Sequence, residues 1–562
     1  MEEIRIYCED DKQYHKVAVG TSLKALANEI CGERKVLAAL SDNVLKELDY
    51  VIAEPHNIHF IDYDHPDGRR TYIRSLCFVL QNAVNELFPD KVLAVDYSLP
   101  SGLYCEIRES MPHEDGRPKV YFITDEELEV LKQKMLEYIA ADLPFKKAKL
   151  TLDEAEKLFV AKHQTEKVNL LRSLERFTYS VYFLDGKADT FYGPLVPSTG
   201  YLNIFDISGF NEGFCLQYPM DGCSGKVLPM KRQSKIATAL KEHSDWCSII
   251  GIRGVGALNK AVRENRIIDL INISEALHER KYAAIADKIY ERRGSVKIVF
   301  IAGPSSSGKT STSKRLAIQC RILGMNPKVI ELDNYFVDRE RTPKDSNGDY
   351  DFEALGAMDL EFLGQQLNDL LAGKEVEIPR FDFKEGKRCF NGDFMQLHEK
   401  DILIMEGIHA LNPAMIPGVD SSKVFRVYAS ALTSLSIDEN NNISTSDNRM
   451  LRRMIRDNRT RGINPESTLS RWQSVRRGEN RNIFPFQENA DAVFNSAHIF
   501  ELPVLKYYAE PLLRRISPAS PAYPEATRML KFLSYIIPLS PAEIAAIPPT
   551  SILREFIDGQ TL

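Results

Sequence analysis

The chain has 562 residues, a mass of 63.8 kDa and a formal net charge of −7 at pH 7. This length exceeds what one hydrophobic core supports, so we expect roughly two to four domains. Hydrophobic residues make up 44% and charged residues 27% of the chain, which is close to ordinary globular values and favours neither a fibrous nor a disordered class. The acidic balance gives no global attraction to nucleic acid, although a local basic stripe could still supply one.

The cysteines and the apolar runs indicate where in the cell the protein is located. The nine cysteines are scattered and form no CxxC pair, which is typical of reduced thiols. No apolar run approaches the roughly 20 residues that span a bilayer. The opening MEEIRIYCEDDK lacks the basic and apolar regions of a signal peptide. We therefore expect a cytoplasmic protein without a membrane partner.

The first part of the chain is predicted to form two small units, each with both helices and strands. Apolar and polar residues alternate over 3–19, and the helical pattern LKALANEI follows, which predicts an α/β module over 1–62. A second, α+β unit is predicted over 63–232, with the helices YIRSLCFVLQNAVNELF and TDEELEVLKQKMLEYIAAD. Helical patterns over 233–294 predict a connector.

From Ser295 the pattern changes to apolar strands that alternate with helices. The strands VKIVFIAG, PKVIELD, DILIMEG and KVFRVYAS predict a parallel sheet flanked by helices, in an α/β domain over 295–516. The polar run SIDENNNISTSDN at 436–448 predicts a mobile loop. The Pro-rich tail over 517–562 is expected to form terminal helices.

The segment GPSSSGKT at 303–310 fits the pattern GxxxxGK[ST] between a strand and a helix. Small residues let backbone amides close around phosphate oxygens, while Lys309 reaches the terminal phosphates and Thr310 offers a hydroxyl to Mg²⁺. The alternative is a Gly-rich turn that binds nothing. The predicted nucleotide-binding residues are Gly303, Pro304, Ser305, Ser306, Ser307, Gly308, Lys309, Thr310 and Ser311.

Two acids end predicted strands where a parallel sheet presents functional groups. Asp333, after KVIEL, could take a proton from an attacking hydroxyl, or could simply cap a turn with Asn334. Glu406, at the end of DILIME, could hold Mg²⁺ together with Thr310, or could be an exposed acid. With Lys309 they complete a set of phosphate cradle, base and metal ligand.

A basic stripe lies near the end of this domain. Ten arginines, no lysine and three acids fall between Arg449 and Arg481. Arginine holds phosphate oxygens bidentately, which suits a lid that closes over a transferring phosphoryl group. Helical spacing predicts one face for Arg449, Arg453 and Arg456. RNA binding and a solvated helix face are the alternatives.

These motifs, together with DYDFEALGAMD and IPRFDFKEGKR, resemble the uridine kinase and phosphoribulokinase family over about residues 295–512. The resemblance implies a P-loop NTPase fold, with Asp333 as general base, Asp351 as a ribose-side contact and Glu406 as a metal-side acid. It implies a catalytic phosphate clamp made by Arg453, Arg456 and Arg461. The further substrate contacts that it implies are Phe381, Phe383, Arg388 and Arg471.

The positions that read the pyrimidine depart from the family pattern. Phe381 stands where the family has Tyr, and Gly386 stands where it has His. A hydroxyl and an imidazole are lost, and such groups can carry large specificity ratios. Stacking of Phe381 and Phe383 on a ring remains open.

The first 230 or so residues resemble the N-terminal half of threonyl-tRNA synthetase, on the segments RSLCFVLQNAVNELFP and FYGPLVP. The resemblance implies a β-grasp-like TGS domain over 1–62 and a second additional, editing-like domain over 63–232. The synthetase's HxxxH pair and its Cys and His fall on Arg74, Phe78, Phe191 and Leu195. None supplies an imidazole or thiol, so we do not expect an editing hydrolase.

The sequence thus predicts a multidomain kinase that transfers a phosphoryl group from ATP or GTP, with Mg²⁺, to the 5′-hydroxyl of a ribonucleoside. Two alternatives stay open. One is an RNA- or tRNA-binding regulator that uses the kinase fold as a nucleotide switch. The other is a kinase for a non-nucleoside sugar. We also expect a homo-oligomer.

Overall fold

The computed structural model describes residues 2–220, 225–344, 348, 350–382, 384–416 and 418–562. Phe383, predicted as a substrate contact, lies outside these residues. None of the helices in the described ranges is long and apolar enough to cross a membrane.

A five-stranded mixed sheet opens the chain. Its elements are β1 (Glu3–Cys8), β2 (Gln13–Ala18), α1 (Leu23–Ile30), β3 (Ala38–Ser41), β4 (Val44–Lys46) and β5 (Asn57–Ile61). The strand order is β2-β1-β5-β3-β4, and β1 runs parallel to β5. The Ser22 hydroxyl caps α1, whose buried Leu23 and Leu26 pack with Ile6 and Phe60 of the sheet.

A second unit combines two antiparallel sheets with four helices. Its elements are α2 (Pro66–Leu87), β6 (Lys91–Leu99), β7 (Gly102–Glu109), β8 (Val120–Tyr121), α3 (Asp125–Ala140), β9 (Lys146–Thr151), α4 (Leu152–Val160), α5 (Thr165–Leu174), β10 (Thr178–Leu184), β11 (Lys187–Asp189), β12 (Asp206–Phe210) and β13 (Gly213–Gln217). One sheet has the order β12-β13-β7-β6, with β8 beside β7, and the other has the order β11-β10-β9. Helix α2 is buried over most of its length between them.

Three helices lead into the last large unit: α6 (Ser234–Ile249), α7 (Val255–Arg263) and α8 (Ile267–Glu291). That unit contains β14 (Ile298–Ala302), α9 (Lys309–Ile322), β15 (Asn326–Glu331), α10 (Leu360–Leu371), β16 (Val376–Glu377), β17 (Arg380–Asp382), β18 (Lys387–Cys389), β19 (Phe394–Met395), β20 (Asp401–Glu406), β21 (Val424–Ser430), β22 (Ser436–Asp438), β23 (Asn441–Asn442), α11 (Thr445–Thr460), α12 (Pro465–Asn482), β24 (Ala492–Asn495) and α13 (Glu501–Leu513).

The parallel sheet predicted from the apolar strands is confirmed, with the order β15-β20-β14-β21-β24 and every pairing parallel. Both of its faces are covered. In β14, Ile298 and Phe300 pack on one side, and Val299 and Ile301 pack into a separate cluster with α8 and α9. This double burial is why the strand is a continuous apolar run.

The prediction of a mobile loop at 436–448 is wrong. The segment forms the β22-β23 hairpin and the start of α11, and Asp438, Asn440 and Asn441 are buried against the second unit. Asn440 exchanges hydrogen bonds with Gln164 and Gln81 of that unit. The polar side chains that suggested solvent exposure instead satisfy one another across a domain interface.

The C-terminal segment contains α14 (Tyr523–Leu533), α15 (Pro541–Ala545) and α16 (Arg554–Ile557). Arg528 ties it to α11 through two 2.8 Å hydrogen bonds to Asp447. Glu525 accepts a 2.8 Å hydrogen bond from Arg70 of the second unit. The segment therefore contacts both large units.

Candidate active site

The phosphate-binding motif lies between the carboxyl end of β14 and the first turn of α9. A Cβ at Gly303 would lie 1.9 Å from the carbonyl oxygen of Ala429, so only glycine fits there. Gly308 has φ +81° and Ser306 has φ +57°. A non-glycine residue in this left-handed region is uncommon, and such strain concentrates at functional sites. The loop is therefore folded into a tight cradle.

Two hydroxyls of this cradle lack partners. The side-chain oxygens of Ser306 and Ser307 are buried and make no hydrogen bond within the described residues. Buried polar groups are almost always paired, so two unpaired hydroxyls in one loop indicate a polar ligand. Lys309 reaches back over the loop, with its Nζ 3.4 Å from the carbonyl oxygen of Pro304. This donor set fits a phosphate group at a helix N-terminus.

Glu406 ends β20 beside the cradle and is buried. Its carboxylate accepts a 2.6 Å hydrogen bond from the hydroxyl of Thr310. Burial raises the pKa of Glu406 to about 7; the nearby Asp333 carboxyl adds to the rise and Lys309 opposes it. The structure thus brings together the two residues predicted to hold a metal.

Asp333 lies in the short turn Leu332–Tyr335 that follows β15. Burial raises the pKa of its carboxyl, whereas the cations Lys309, Arg461 and Arg456 oppose that rise. Residues that are far apart in the chain therefore surround this carboxyl with positive charge.

The predicted clamp arginines gather around one acid. Asp457, which is 1% exposed, lies 3.3 Å from Arg453 Nε, 2.8 Å from Arg456 Nη2 and 3.5 Å from Arg461 Nη1. Arg453 also donates a 3.0 Å hydrogen bond to the Ser305 hydroxyl. Asp457 therefore holds the three cations together beside the phosphate loop.

Other arginines of the basic stripe are structural. Arg449 and Arg452 are fully buried and form ion pairs with Glu479 and Glu501. Arg449 shares the predicted face with Arg453, since both reach Ser305. Part of the stripe therefore supports the site and does not face a ligand.

Two carboxyls at the site were not predicted. Glu479 accepts a 3.0 Å hydrogen bond from the Ser305 amide. Burial raises the pKa of Glu353 to about 7; Arg453 opposes this rise, and Glu479 and Asp333 add to it. Each could have been suspected, because Glu479 is one of three acids among ten arginines and Glu353 lies in a family-like motif.

The predicted substrate contacts are only partly brought to this cleft. Asp351 accepts a 3.2 Å hydrogen bond from the Glu353 amide and lies 3.6 Å from Arg481. Arg471 is exposed on α12 and makes no hydrogen bond or ion pair in the ranges that the structure covers. Lys309 and Asp333 lie close enough to Glu353 to act on the pKa of its carboxyl.

The β17-β18 hairpin carries the remaining predicted contacts. The Phe381 ring meets the Phe336 ring edge to face at 5.7 Å. Arg388 donates to the Phe336 carbonyl at 3.1 Å and to Asp359 at 3.0 Å. Arg388 therefore braces the segment after Asp333.

Ser311 is bonded to the C-terminal segment. Its amide donates a 3.2 Å hydrogen bond to Glu555, and its hydroxyl donates to the same carboxylate oxygen. Ile552 of that segment packs where a side chain at Gly308 would lie. The segment after residue 550 thus covers one side of the cradle.

The four positions aligned with synthetase editing residues form a packed wall. Phe78, Phe191 and Leu195 are buried, and the Phe78 and Phe191 rings lie 5.4 Å apart. Arg74 donates hydrogen bonds of 3.2 and 3.1 Å to the Pro194 carbonyl. Among the described residues, no group of three His, Cys, Asp or Glu could hold a metal ion.

Comparisons with known proteins match both halves of the chain. Residues 298–501 match the Phosphoribulokinase / Uridine kinase family. The uridine kinase of Macrococcus caseolyticus is 30% identical over 197 residues, which cover 35% of this chain and 86% of that protein. A solved D-glycerate 3-kinase from Cryptococcus neoformans is 12% identical, with a TM-score of 0.21, over 50% of this chain and 90% of its own.

The N-terminal part is similar to a different class of protein. The threonine–tRNA ligase of Desulforamulus reducens is 29% identical over 195 residues, or 34% of this chain. The chain spans 29% of the length of that relative. The kinase relatives, by contrast, are matched over most of their length, and the motif, parallel sheet and clustered acids all lie within the matched segment. Through this segment, the chain belongs to the phosphoribulokinase and uridine kinase family.

Proposed function

We propose that the chain transfers the terminal phosphoryl group of a nucleoside triphosphate to the 5′-hydroxyl of a ribonucleoside. One observation carries this proposal. Lys309 follows β14, Asp333 follows β15 and Glu406 ends β20, so neighbouring strands of one parallel sheet bring the three side chains to a single cleft. They lie close enough that Lys309 lowers and Asp333 raises the pKa of the buried Glu406 carboxyl. A phosphate cradle, a base and a metal-side acid are the parts that phosphoryl transfer requires.

The nucleotide would lie in the 303–311 cradle, where the unpaired hydroxyls of Ser306 and Ser307 are available to it. Thr310 and Glu406 would hold Mg²⁺, which when bound neutralises charge on the phosphates. Lys309 orients the terminal phosphate, and the group around Asp457 brings three guanidinium groups over it. ATP and GTP are both compatible with these contacts, since the cradle reads phosphates alone.

Asp333 is proposed to accept the proton of the attacking hydroxyl. Its raised pKa brings the carboxylate closer in basicity to a useful general base at neutral pH. The transfer is direct and in line, so no covalent enzyme intermediate forms. Arg453, Arg456 and Arg461 stabilise the negative charge that spreads over the transferring group.

The acceptor is proposed to be a ribonucleoside because the kinase relatives are uridine kinases. Base recognition differs from theirs on the residues quoted above. Gly386 has φ +70°, and a Cβ there would lie 2.8 Å from the Arg339 side chain. A histidine at this position would be strained and crowded, so we propose that the base is held by stacking, with Phe381 as one wall.

The N-terminal units are proposed to be a TGS-like domain over 1–62 and an editing-like domain over 63–232 without hydrolytic chemistry. The similarity to threonine–tRNA ligases supports this. The packed wall at Phe78, Phe191 and Leu195 supports the loss of editing.

The test is ADP release from ATP and from GTP across ribonucleosides, deoxyribonucleosides and sugar phosphates. Lys309→Ala and Asp333→Asn are each expected to abolish ADP release while circular dichroism and melting stay unchanged. Asp369→Asn, on the outer helix α10 where Asp369 pairs with Lys374, is the matched control and should stay active. Turnover at the wild-type rate in pure Asp333→Asn would contradict the proposed base.

A further inference from the structure

A cavity of about 150 Å³ lies outside the candidate active site, where three parts of the chain meet. Its walls come from strand β10 of the second unit, from the β22-β23 hairpin of the last large unit (β14 to α13, called the kinase unit below), and from the end of α14 with the residues just after it. Tyr182, Ile437 and Tyr535 represent these three walls. The cavity therefore exists only when all three parts are assembled.

Part of the interior is apolar and aromatic. Tyr179, Tyr182, Phe191 and Ile437 line it, and each is at most 6% exposed. The Tyr179 hydroxyl donates to the Leu171 carbonyl, so this ring presents its faces and not its polar end to the cavity. A cavity of similar volume in another protein holds a benzene-sized molecule.

The rim, by contrast, is cationic. Lys147, Arg176 and Lys531 all line the cavity and are exposed. Lys147 has a counter-ion, since its Nζ lies 2.9 Å from Glu47. Arg176 donates to the backbone and hydroxyl oxygens of Ser534, and its guanidinium carbon lies 5.1 Å from the centre of the Tyr535 ring. The side-chain ammonium of Lys531 makes no hydrogen bond or ion pair with any described residue.

The charge at this rim is therefore incompletely balanced. The acid on the facing wall, Asp438, is already paired with Asn441 and with Lys167 behind it. Within the part of the chain that the structure describes, neither Arg176 nor Lys531 forms an ion pair with a carboxylate.

The geometry points to a binding site for a small organic anion, whose carboxylate or phosphate head lies between Lys531 and Arg176 and whose ring-sized apolar body enters the aromatic cavity. A charge-assisted contact at the rim and burial of apolar surface inside would act on opposite ends of one ligand. The mixed lining follows the usual pattern of ligand sites, with an apolar wall and a few polar groups that fix orientation.

Isothermal titration calorimetry on the full chain at low ionic strength tests this site with benzoate, phenyl phosphate and the neutral benzamide. Benzoate or phenyl phosphate should bind at one site per chain, and the tighter of the two identifies the head group. Benzamide should bind at least about tenfold more weakly, as expected when a charged hydrogen bond is lost. Equal binding of benzamide would overturn the proposal, and so would no binding of either anion.

Variants locate the site. Lys531→Met should weaken anion binding about tenfold or more, whereas Lys531→Arg should retain it. Lys288→Met should leave it unchanged, because this exposed lysine of α8 forms no ion pair in the described ranges. Ser180→Trp, which places a ring at the exposed rim, should also weaken binding. Because phenyl phosphate could bind the phosphate loop, the titration is repeated with Lys309→Ala. Loss of binding in Lys309→Ala would contradict the proposed site. Unchanged binding in Lys531→Met would contradict it as well.

Discussion

The Glu479 carboxylate accepts a 3.0 Å hydrogen bond from the Ser305 amide, so a side chain of helix α12 binds the backbone of the phosphate loop. The same carboxylate pairs with Arg449, and Arg449 in turn donates to the Ser305 carbonyl at 3.1 Å. These three residues form a closed cycle in which Arg449 and Glu479 are each 1% exposed. The cycle connects the loop to both helices of the arginine-rich stretch.

Glu479→Gln should destabilise this region strongly. The substitution leaves the Arg449 guanidinium buried without its counter-ion, and breaking such a pair costs about 3 kcal/mol or more. We expect a lower melting temperature and a higher KM for ATP. Glu466→Gln is the control on the same helix: Glu466 is exposed, its Oε1 accepts a hydrogen bond from the Ser520 hydroxyl, and glutamine keeps that acceptor, so neither quantity should change. A melting temperature equal to that of the wild type would show that the cycle contributes nothing.

Glu353→Gln should raise the KM for the acceptor by about tenfold, while the KM for ATP stays close to the wild-type value. The reason is that a half-buried carboxyl beside Asp333 can accept hydrogen bonds from sugar hydroxyls. Asp351→Asn is the matched comparison, since the resemblance assigns the ribose contact to Asp351. Its carboxylate instead lies toward Arg481 and the Glu353 amide. Steady-state kinetics on both variants decide which carboxyl contacts the acceptor; a larger effect from Asp351→Asn would reverse the assignment.

Metal dependence should vary with pH through Glu406. A carboxyl with a pKa of about 7 is protonated below that pH and must lose its proton before it can hold a cation. We therefore expect the apparent Mg²⁺ affinity to fall about tenfold for each pH unit below the pKa. ADP release measured against Mg²⁺ at several pH values checks this, and a flat profile would exclude Glu406 as the metal ligand.

The raised pKa of Glu406 also affects the stability of the protein, and here low pH is favourable, whereas low pH weakens Mg²⁺ binding. The folded-state pKa of Glu406 lies above the ordinary value of 4.5, so the native state binds more protons than the unfolded state between these values. Stability contributed by this group is therefore present at low pH and is lost as pH rises through about 7. Glu406→Gln should flatten that part of the stability profile of the nucleotide-free protein.

Glu555→Gln should tighten nucleotide binding. The Glu555 carboxylate holds both donors of Ser311, and a phosphate group brought to the same donors would meet a like charge. Removing that charge while keeping an acceptor should lower the dissociation constant of ATP several-fold, by about 1 kcal/mol. Calorimetric titration with ATP measures it. Asp558→Asn, exposed in the same segment, is the control, and weaker binding in Glu555→Gln would refute the competition.

Much of the kinase unit could be predicted from the sequence because the patterns that indicate it lie in neighbouring residues. The cradle at 303–310 needs small residues at set positions, and buried parallel strands need continuous apolar runs, so both leave a pattern in neighbouring residues. The same holds for Asp333 and Glu406, which end such strands.

The sequence by itself thus determined the fold of the kinase unit, its cradle and its strand-end acids. Only the tertiary structure decided which arginines face the cradle, since Arg449 and Arg453 differ in burial although they share one helical face. The tertiary structure also placed Glu353 and Glu555 beside the cradle. It showed that the polar run at 436–448 is buried in an interface between units. These outcomes depend on pairing between residues far apart in the chain, and charge or polarity in one segment does not specify the partner that will satisfy it.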